Sequence, residues 1–249
     1  MDYITFENYY CYYKVNKEYL TILEDLSFSI KKGELLVVVG ATGVGKTTLL
    51  KSIVGLIRDI SGDILINGKS IDKLDLRFEN IAYVPQEVAL YPNLTIYDNL
   101  AYPLKNMRTS YEEIDFRVKE IAKKFNISLF LTRKPKQLSG GQQQTVSLAK
   151  ALIKNPHLLL LDEPFSNIDV QRKIDIVKNF RKMHDEGNFT TILVTHDIRE
   201  ALMIADRILI LENGKIEQLD TPENIIKSNK SSLIKGYIDE TSKPLWDED

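Results

Sequence analysis

The sequence predicts an α/β fold with a mixed, mostly parallel sheet, an antiparallel β subdomain at the N-terminus and a helical insert. The apolar run Leu35–Val39 is typical of a central parallel strand that is buried on both faces. After Pro156, short apolar strands alternate with helical patterns, which is the βαβ signature of a parallel sheet. The first thirty residues instead alternate between apolar and polar positions, as half-buried antiparallel strands do.

The elements can be predicted in chain order. Strands are expected at residues 4–7, 26–30, 35–39, 63–68 and 81–84, and later at 158–161, 190–194 and 207–211. Helices are expected after the glycine-rich loop that follows Val39, and at 95–107, from Ser110 onward, at 141–155, 170–185 and 197–205, and at Pro222. We expect one domain over residues 1–240, with the helical insert at about 87–155, and a polar tail at 241–249.

Composition and charge are those of an ordinary globular protein. Of the 249 residues, 43% are hydrophobic and 27% are charged, so the chain can bury a substantial core. Lysine and arginine number 33 and the acidic residues 35, so the net charge of -2 lacks the basic excess of nucleic-acid-binding proteins. We therefore expect no nucleic acid among its main partners.

Cysteine usage and apolar runs bear on the compartment. The single cysteine, Cys11, excludes an internal disulfide, which fits a reducing compartment, and it is expected to act as a small hydrophobe. No basic region followed by an apolar stretch opens the chain, so no signal peptide is expected. No apolar run approaches the ~20 residues of a spanning helix, so other chains are expected to supply any membrane-spanning part.

A glycine-rich loop follows the predicted strand 35–39 and precedes a helix. Its sequence matches the P-loop pattern G-x-x-x-x-G-K-[ST], in which backbone N–H groups cradle phosphates because glycines let the chain approach closely. Lys46 would reach the β- and γ-phosphates, and the Thr47 hydroxyl would ligate Mg²⁺. The predicted ATP-binding residues are Gly40, Ala41, Thr42, Gly43, Val44, Gly45, Lys46, Thr47 and Thr48.

Two acids end the buried strand 158–161. Asp162 and Glu163 lie at the carboxyl end of a strand, where doubly wound sheets place their ligands. Asp162 would hold the Mg²⁺ shell and Glu163 would polarise the attacking water. Taken alone, such a pair is more often a solvated strand end, but a preceding P-loop favours a site.

A third motif precedes the predicted helix 141–155. Ser139 and Gln142 form a capping box, which marks a helix start, but a cap does not explain the consecutive glycines Gly140 and Gly141, which cost helix stability. Bare backbone at a helix N-terminus suits a phosphate. Because the chain already has its own P-loop, the segment Leu138-Ser139-Gly140-Gly141-Gln142, here called the signature segment, is predicted to receive a partner's nucleotide.

In this order, the three motifs resemble the ATP-binding subunit of ABC transporters, over about residues 4–238. The resemblance implies the ligands ATP and Mg²⁺ and a head-to-tail dimer, in which Lys46 of one copy faces Ser139 of the other across the γ-phosphate. It also implies a location on the cytoplasmic face of the cell membrane. The implied partners are a second ATPase subunit, transmembrane permease subunits and an extracytoplasmic solute-binding protein.

The resemblance assigns further roles. Gln86 stands at the position of the family's Q-loop glutamine, which contacts Mg²⁺ and water, and His196 matches the switch histidine that contacts the γ-phosphate. Asp169 belongs to a segment similar to the D-loop, which contacts the opposite subunit. The implied catalytic residues are Glu163, His196 and Gln86, and the implied metal ligands are Thr47, Gln86 and Asp162.

Tyrosines crowd the first predicted strand. Tyr13 fits the aromatic residue that stacks on adenine in the family, and Tyr12 is a rival, because Tyr9, Tyr10, Tyr12 and Tyr13 lie so close in sequence. Packing into the core is the alternative role for each of them.

Some positions depart from the family pattern. Ala41 and Thr42 stand where many relatives have Pro-Ser, and because these positions mostly offer backbone, activity is expected to survive. Thr145 stands where relatives commonly have arginine, which removes a charge near the signature segment.

Residues 89–100 and 133–137 resemble the importer branch that serves sugars and, less closely, polyamines. That branch usually carries a C-terminal regulatory domain of about a hundred residues, for which this chain is expected to be too short. The resemblance therefore favours import, of a sugar in the first instance.

The alternative is a soluble ABC-type ATPase that acts in complex assembly or on nucleic acid. Such relatives tend to have two such domains in one chain, long coiled coils or basic extensions, and the sequence contains none of these. Co-purification would discriminate, since permease subunits would support a transporter and ribosomes or DNA the alternative.

Overall fold

The computed structural model describes residues 2–16, 18–76, 79–228, 231 and 234–237, without the side chains of residues 170–172. The predicted tail at 241–249 lies outside the described residues. The chain divides into two compact units, a first built from Met1–Asp75 and Thr190–Asp249 and a second from Leu76–Phe189. The predicted insert at about 87–155 falls within the second unit.

Within the described residues the chain folds into ten strands and seven α-helices, and every predicted strand and helix overlaps one of them. The strands are β1 (Asp2–Val15), β2 (Glu18–Lys31), β3 (Leu35–Val39), β4 (Ile60–Ile66), β5 (Lys69–Ser70), β6 (Ile81–Val84), β7 (Leu158–Asp162), β8 (Thr190–Thr195), β9 (Arg207–Glu212) and β10 (Lys215–Asp220). The helices are α1 (Lys46–Ile53), α2 (Ile96–Asn106), α3 (Tyr111–Lys124), α4 (Gly140–Leu152), α5 (Val170–Glu186), α6 (Ile198–Ile204) and α7 (Pro222–Ser228). None of the helices in the described residues is long and apolar enough to cross a membrane.

The first unit contains an antiparallel sheet in the order β2-β1-β4-β5. The strands β1 and β2 are longer than the sequence predicts. Irregularities interrupt the pairing of β1 between Phe6 and Tyr9 and again before Tyr12, and they hide the rest of this strand from a simple alternating pattern. Asn8 within the first irregularity has a φ of 43°. A bulge changes which residues face inward, so simple alternation is recognisable only at residues 4–7.

The same unit contains the strand order β10-β9-β3-β8. The strand β3 pairs in parallel with β8 on one side and β9 on the other, and all five of its residues are buried, as its continuous apolar run predicts. The strand β10, which the sequence did not predict, forms an antiparallel hairpin with β9. Asn213 and Gly214 connect the two strands with φ values of 50° and 76°, as in a two-residue hairpin turn.

The second unit combines a parallel pair, β6 and β7, with an apolar cluster formed mainly by three helices. The helices α2, α3 and α4 begin at the side-chain caps Thr95, Ser110 and Ser139. Buried members of the cluster are Ile96, Leu100, Ala101, Leu104, Ile114, Val118, Ala122, Ile127, Leu138, Val146, Ala149 and Ile153.

Candidate active site

The predicted P-loop connects β3 to α1 in the first unit. Gly45 is the N-cap of α1 and has a φ of 108°, and a Cβ built on it would lie 2.7 Å from Leu23 Cδ2, so a side chain is disfavoured both by conformation and by space. Among the described residues, α1 has no side-chain cap at its N-cap Gly45, whereas α2, α3 and α4 are capped by Thr95, Ser110 and Ser139. A glycine loop leading into a helix without a side-chain cap suits an anionic ligand.

Lys46 is folded back onto the loop that precedes it. Its side chain is buried, and Nζ donates to the carbonyls of Gly40 at 2.8 Å and Ala41 at 2.9 Å. Thr47 is half-buried and Thr48 is buried. The loop therefore holds the ammonium group beside its own backbone, at the first residue of α1.

The structure separates the neighbouring tyrosines of β1. The Tyr13 hydroxyl lies 3.1 Å from Thr48 Oγ1 in the first turn of α1. The Tyr12 hydroxyl instead lies 3.3 Å from Ser61 Oγ of β4, and its ring contacts those of Tyr10 and Tyr19. Of Tyr12 and Tyr13, it is Tyr13 that is placed against the first turn of the helix that follows the P-loop.

Deeper in β1, Tyr9 and Cys11 are fully buried. Burial raises the pKa of the Cys11 thiol to about 11, so it stays protonated at neutral pH and behaves as the small hydrophobe that the sequence predicts.

His196 lies at the same sheet edge as the P-loop. In the parallel pairing of β3 with β8, Val39 is opposite Thr195, so Gly40 and His196 are the next residues on the two strands. Carboxyl ends of adjacent parallel strands form the usual ligand site of α/β sheets. The His196 side chain is exposed at this edge.

The Thr195 hydroxyl stabilises the turn that contains His196. Thr195 Oγ1 donates to Glu200 Oε2 at 2.7 Å and accepts from the backbone N–H of Asp197 at 3.1 Å. Both Thr195 and Glu200 are buried. These two residues are not predicted from the sequence, because no motif marks a threonine and a glutamate five positions apart.

The acids of the second unit lie at the end of its parallel pair. Because Ile81 to Val84 pair with Leu158 to Leu161, the chain segments leading to Gln86 and to Asp162 leave the same edge. Asp162 is buried at 2% exposure and accepts a hydrogen bond from the Tyr83 hydroxyl at 3.2 Å. Burial, and secondarily the negative charge of Asp162, raises the pKa of Tyr83, which therefore remains a donor to this carboxylate.

Tyr83 was also missed by the sequence analysis. A tyrosine in a short strand usually indicates core packing, and only the strand register shows that it faces the acid.

Glu163 has an unusual backbone conformation. It follows β7 directly, is half-buried and has a φ of 47°, in the left-handed region that favours glycine. Ser166 Oγ donates to its carbonyl at 3.0 Å and so closes the turn. Non-glycine residues held in this region cluster at functional sites. Gln86 and Asp169, on the loops that follow β6 and this turn, are exposed.

The signature segment begins α4. Ser139 Oγ accepts from the Gln142 N–H and Gln142 Oε1 accepts from the Ser139 N–H, so the predicted capping box is present. A Cβ on Gly141 would lie 3.2 Å from the Asn167 carbonyl, whereas one on Gly140 would meet no atom of the described residues within 4 Å beyond its own turn of helix and its chain neighbours. Packing within the second unit thus explains why position 141 is a glycine. The space beside Gly140 is open, and packing does not explain the glycine there.

Thr145 stands where relatives commonly have arginine, and its hydroxyl donates to the Gly141 carbonyl at 2.9 Å. Its polar group is satisfied within the helix, one turn from the signature segment.

The predicted site residues form two groups, one in each unit. The first unit holds Tyr13, residues 40–48 and His196, and the second holds Gln86, residues 139–142, Asp162, Glu163 and Asp169. Among the described residues, no group of three or more His, Cys, Asp or Glu could hold a metal ion. Mg²⁺ is typically bound by one or two protein groups together with substrate phosphates, so hydroxyl, carboxylate and amide oxygens fit it without such a cluster.

Comparisons with known proteins identify related chains. A family profile described as "ABC transporter" matches residues 23–166. The chain is 41% identical over 225 residues to the molybdate/tungstate import ATP-binding protein WtpC of Pyrococcus abyssi, covering 90% of this chain and 65% of the relative. It is 40% identical over 223 residues to the sn-glycerol-3-phosphate import ATP-binding protein UgpC 3 of Agrobacterium fabrum, covering 90% and 63%. The chain thus spans just under two thirds of the length of these relatives.

Two solved structures have the same fold. One is a dimeric ATP-binding cassette in a post-hydrolysis state, bound to ADP and Pi, with a TM-score of 0.80 and 32% identity over 88% of this chain and 98% of that chain. The other is a dimeric bacterial ABC transporter cassette with a TM-score of 0.81 and 33% identity at the same coverage.

Proposed function

This chain belongs to the ABC transporter family, and we propose that it binds and hydrolyses ATP as one subunit of a transporter. The observation that carries the proposal is the glycine loop between β3 and α1, with Gly45 in a conformation that disfavours a side chain and no side-chain cap on the helix. Such a loop binds phosphate through its backbone. The ADP and Pi in a cassette of similar fold support the same ligand class.

We assign the nucleotide to the predicted ATP-binding residues. Tyr13 stacks on adenine, because its hydroxyl is anchored at Thr48 in the first turn of α1. Residues 40–48 cradle the phosphates, and the Lys46 ammonium exchanges its bonds to the loop carbonyls for bonds to the phosphates. We assign three oxygen ligands to Mg²⁺, which are the Thr47 hydroxyl, the Asp162 carboxylate and the Gln86 amide. The ion, when bound, would neutralise phosphate charge.

We assign hydrolysis to three residues. Glu163 accepts a proton from the attacking water, whose oxygen bonds to the γ-phosphorus, while the bond from that phosphorus to the β–γ bridging oxygen breaks and ADP leaves. Gln86 orients the water, and His196 donates a hydrogen bond to the γ-phosphate. The left-handed backbone of Glu163 supports its role, since such strain fixes side-chain direction at functional sites.

We propose that two copies, or this chain and a paralogue, close head to tail around two ATP molecules. Residues 139–142 of each copy contact the nucleotide of the other, and Asp169 lies at the same interface. The open space at Gly140 and the dimeric form of two similar cassettes support this arrangement. Closing and reopening provide the two states that membrane subunits convert into transport.

Import is the proposed direction, because the compared relatives are named as import ATP-binding proteins. Permease subunits, an extracytoplasmic solute-binding protein and a location on the cytoplasmic face of the membrane belong to the same proposal. The two relatives have nearly equal identity but are named for chemically different solutes, molybdate or tungstate and sn-glycerol-3-phosphate. Similarity of this domain to its relatives therefore does not identify the solute, and transport of a sugar stays a prediction.

The test of the proposed chemistry is the ATPase activity of the purified chain carrying Glu163→Gln. We expect turnover to fall at least ~100-fold, since an amide cannot accept the proton, while ATP binding is retained. Glu120→Gln makes the same change at an exposed position of α3 and is expected to match the wild type. Turnover of Glu163→Gln close to that of the wild type would show that Glu163 is not the base.

Lys46→Ala tests the nucleotide site itself, because it removes the ammonium group while leaving the loop glycines in place. We expect ATP binding to weaken at least ~10-fold, as for the loss of a charge-assisted contact. Unchanged ATP binding would contradict the assignment of the P-loop.

A further inference from the structure

We infer that Thr195 and Glu200 are positioning residues for His196, and that the Thr195 hydroxyl fixes the turn through which His196 reaches the γ-phosphate. The inference rests on the proposed function, because it presumes that His196 contacts the nucleotide. It adds two residues that act through His196.

The Thr195 hydroxyl acts both as a hydrogen-bond donor and as an acceptor. It donates to Glu200 Oε2 at 2.7 Å and accepts from the Asp197 N–H at 3.1 Å, so it connects α6 to the residue that follows His196. A hydroxyl has one hydrogen to donate, and here it goes to a carboxylate, which makes the bond a charge-assisted one.

Burial strengthens this connection. Thr195 is 2% exposed and Glu200 5% exposed, so water competes little for either partner. Hydrogen bonds in such surroundings are electrostatically stronger than those at the surface. By contrast, the His196 side chain is exposed.

Both ends of the turn are fixed. On the strand side, Thr195 pairs with Val39 in the β3–β8 register, directly before the P-loop. On the helix side, Asp197 caps α6 by accepting from the Arg199 N–H at 3.0 Å. His196 is the residue between these anchors, so its backbone direction follows from the bonds of its two neighbours.

Loss of the Thr195 hydroxyl should therefore affect the chemical step more than nucleotide binding. The turn can relax while the P-loop, α1 and Tyr13 keep their contacts with the nucleotide. Displacing a catalytic group by about 1 Å can lower the rate by as much as ~100-fold. We therefore expect a lower kcat with an unchanged KM for ATP.

The experiment compares three substitutions in strand β8 of the full chain, with ATP turnover as the readout. Thr195→Val removes the hydroxyl at nearly constant volume, and we expect kcat to fall ~10-fold with KM for ATP within ~2-fold of the wild type. Thr195→Ser keeps the hydroxyl and is expected to restore most of the activity. Thr191→Val is the matched control, since Thr191 is fully buried in the same strand and its hydroxyl makes no hydrogen bond within the described residues.

Equal kcat losses in Thr195→Val and Thr191→Val would overturn the inference, because they would reflect a general effect on the strand. So would failure of Thr195→Ser to recover activity. If Thr195→Val does not fold, as judged by its melting temperature, Thr195→Ala replaces it with the same expectations.

His196→Ala separates failure of the inference from failure of the proposed function. If its turnover is normal, His196 does not act on the nucleotide and the proposed assignment fails with it. If its turnover is lost while Thr195→Val is fully active, only the inference fails. The double variant, His196→Ala with Thr195→Val, is expected to be no slower than His196→Ala alone, and an additive loss would show that Thr195 does not act through His196.

Discussion

Tyr12 and Tyr13 are adjacent in the sequence, yet their hydroxyl groups lie against different parts of the first unit. Successive side chains of a strand point to opposite faces, so one faces α1 and the other faces the surface of the antiparallel sheet. The family resemblance predicts an aromatic residue near the adenine, but the sequence could not choose between neighbours, since the pairing irregularity before Tyr12 sets which face each one occupies.

At this scale, Tyr13→Ala is expected to weaken ATP binding ~10-fold, because stacking of a base on an aromatic ring contributes about 1–3 kcal/mol. Tyr12→Ala is the matched control and should bind ATP within ~2-fold of the wild type. Titration with a fluorescent ATP analogue measures both. A larger loss in Tyr12→Ala than in Tyr13→Ala would reverse the assignment.

At the scale of elements, Asn99 joins α2 to the loop that precedes it. It is fully buried, its Oδ1 accepts from the Tyr91 N–H at 2.7 Å, and its Nδ2 donates to the carbonyls of Tyr91 at 3.1 Å and Thr95 at 3.0 Å. The loop begins a few residues after Gln86, so this amide sets the shape of the segment between the sheet edge and the helices. An aspartate at this position could make only the bond in which Asn99 is the acceptor, and not those in which it donates.

Asn99→Asp is therefore expected to destabilise the fold in a pH-dependent way. A carboxylate facing carbonyl oxygens has a folded pKa above its unfolded value of about 3.9, because the charged form is disfavoured. Stability from such a group is present below the unfolded pKa and is lost as the pH rises through the folded pKa. Urea unfolding from pH 5 to pH 8 should show a deficit against the wild type that grows with pH.

Asn99→Ala supplies the control for this experiment. It leaves the Tyr91 N–H without its partner and is expected to cost about 2–4 kcal/mol at every pH in the range. A deficit of Asn99→Asp that is independent of pH would contradict the predicted charge effect.

At the scale of the whole molecule, the predicted site residues are divided between two compact units, and the signature segment has its open side at Gly140. In the part of the chain that the structure describes, a Cβ there meets no atom within 4 Å outside its own helix and chain neighbours, so there is room for a side chain at this position. An aspartate in the first turn of α4 also interacts favourably with the helix dipole. Any effect of a substitution at Gly140 should therefore appear in assembly and not in folding.

Gly140→Asp is accordingly expected to keep the melting temperature and ATP affinity of the single chain while abolishing ATP-dependent dimerisation, because the new carboxylate repels a partner's triphosphate. Light scattering with ATP and Mg²⁺, in a Glu163→Gln background that prevents turnover, measures the molar mass. Gly140→Ala adds no charge and should still dimerise. Dimerisation of the Gly140→Asp variant would contradict the proposed interface.

The sequence by itself determined those features whose physical cause lies within a few neighbouring residues. The run Leu35–Val39 predicts a strand buried on both faces, and Ser110 and Ser139 predict helix starts, because a side-chain cap acts over three positions. The glycine loop and the paired acids were found in the same way, since their chemistry depends on fixed spacing.

The tertiary structure alone decided contacts between segments that are distant in sequence. The register of β3 with β8 brings His196 to the P-loop edge, and that of β6 with β7 turns Tyr83 toward Asp162. No spacing rule encodes these pairs, because each depends on which strands pair and in what register. Only the folded chain specifies that pairing, and local patterns do not.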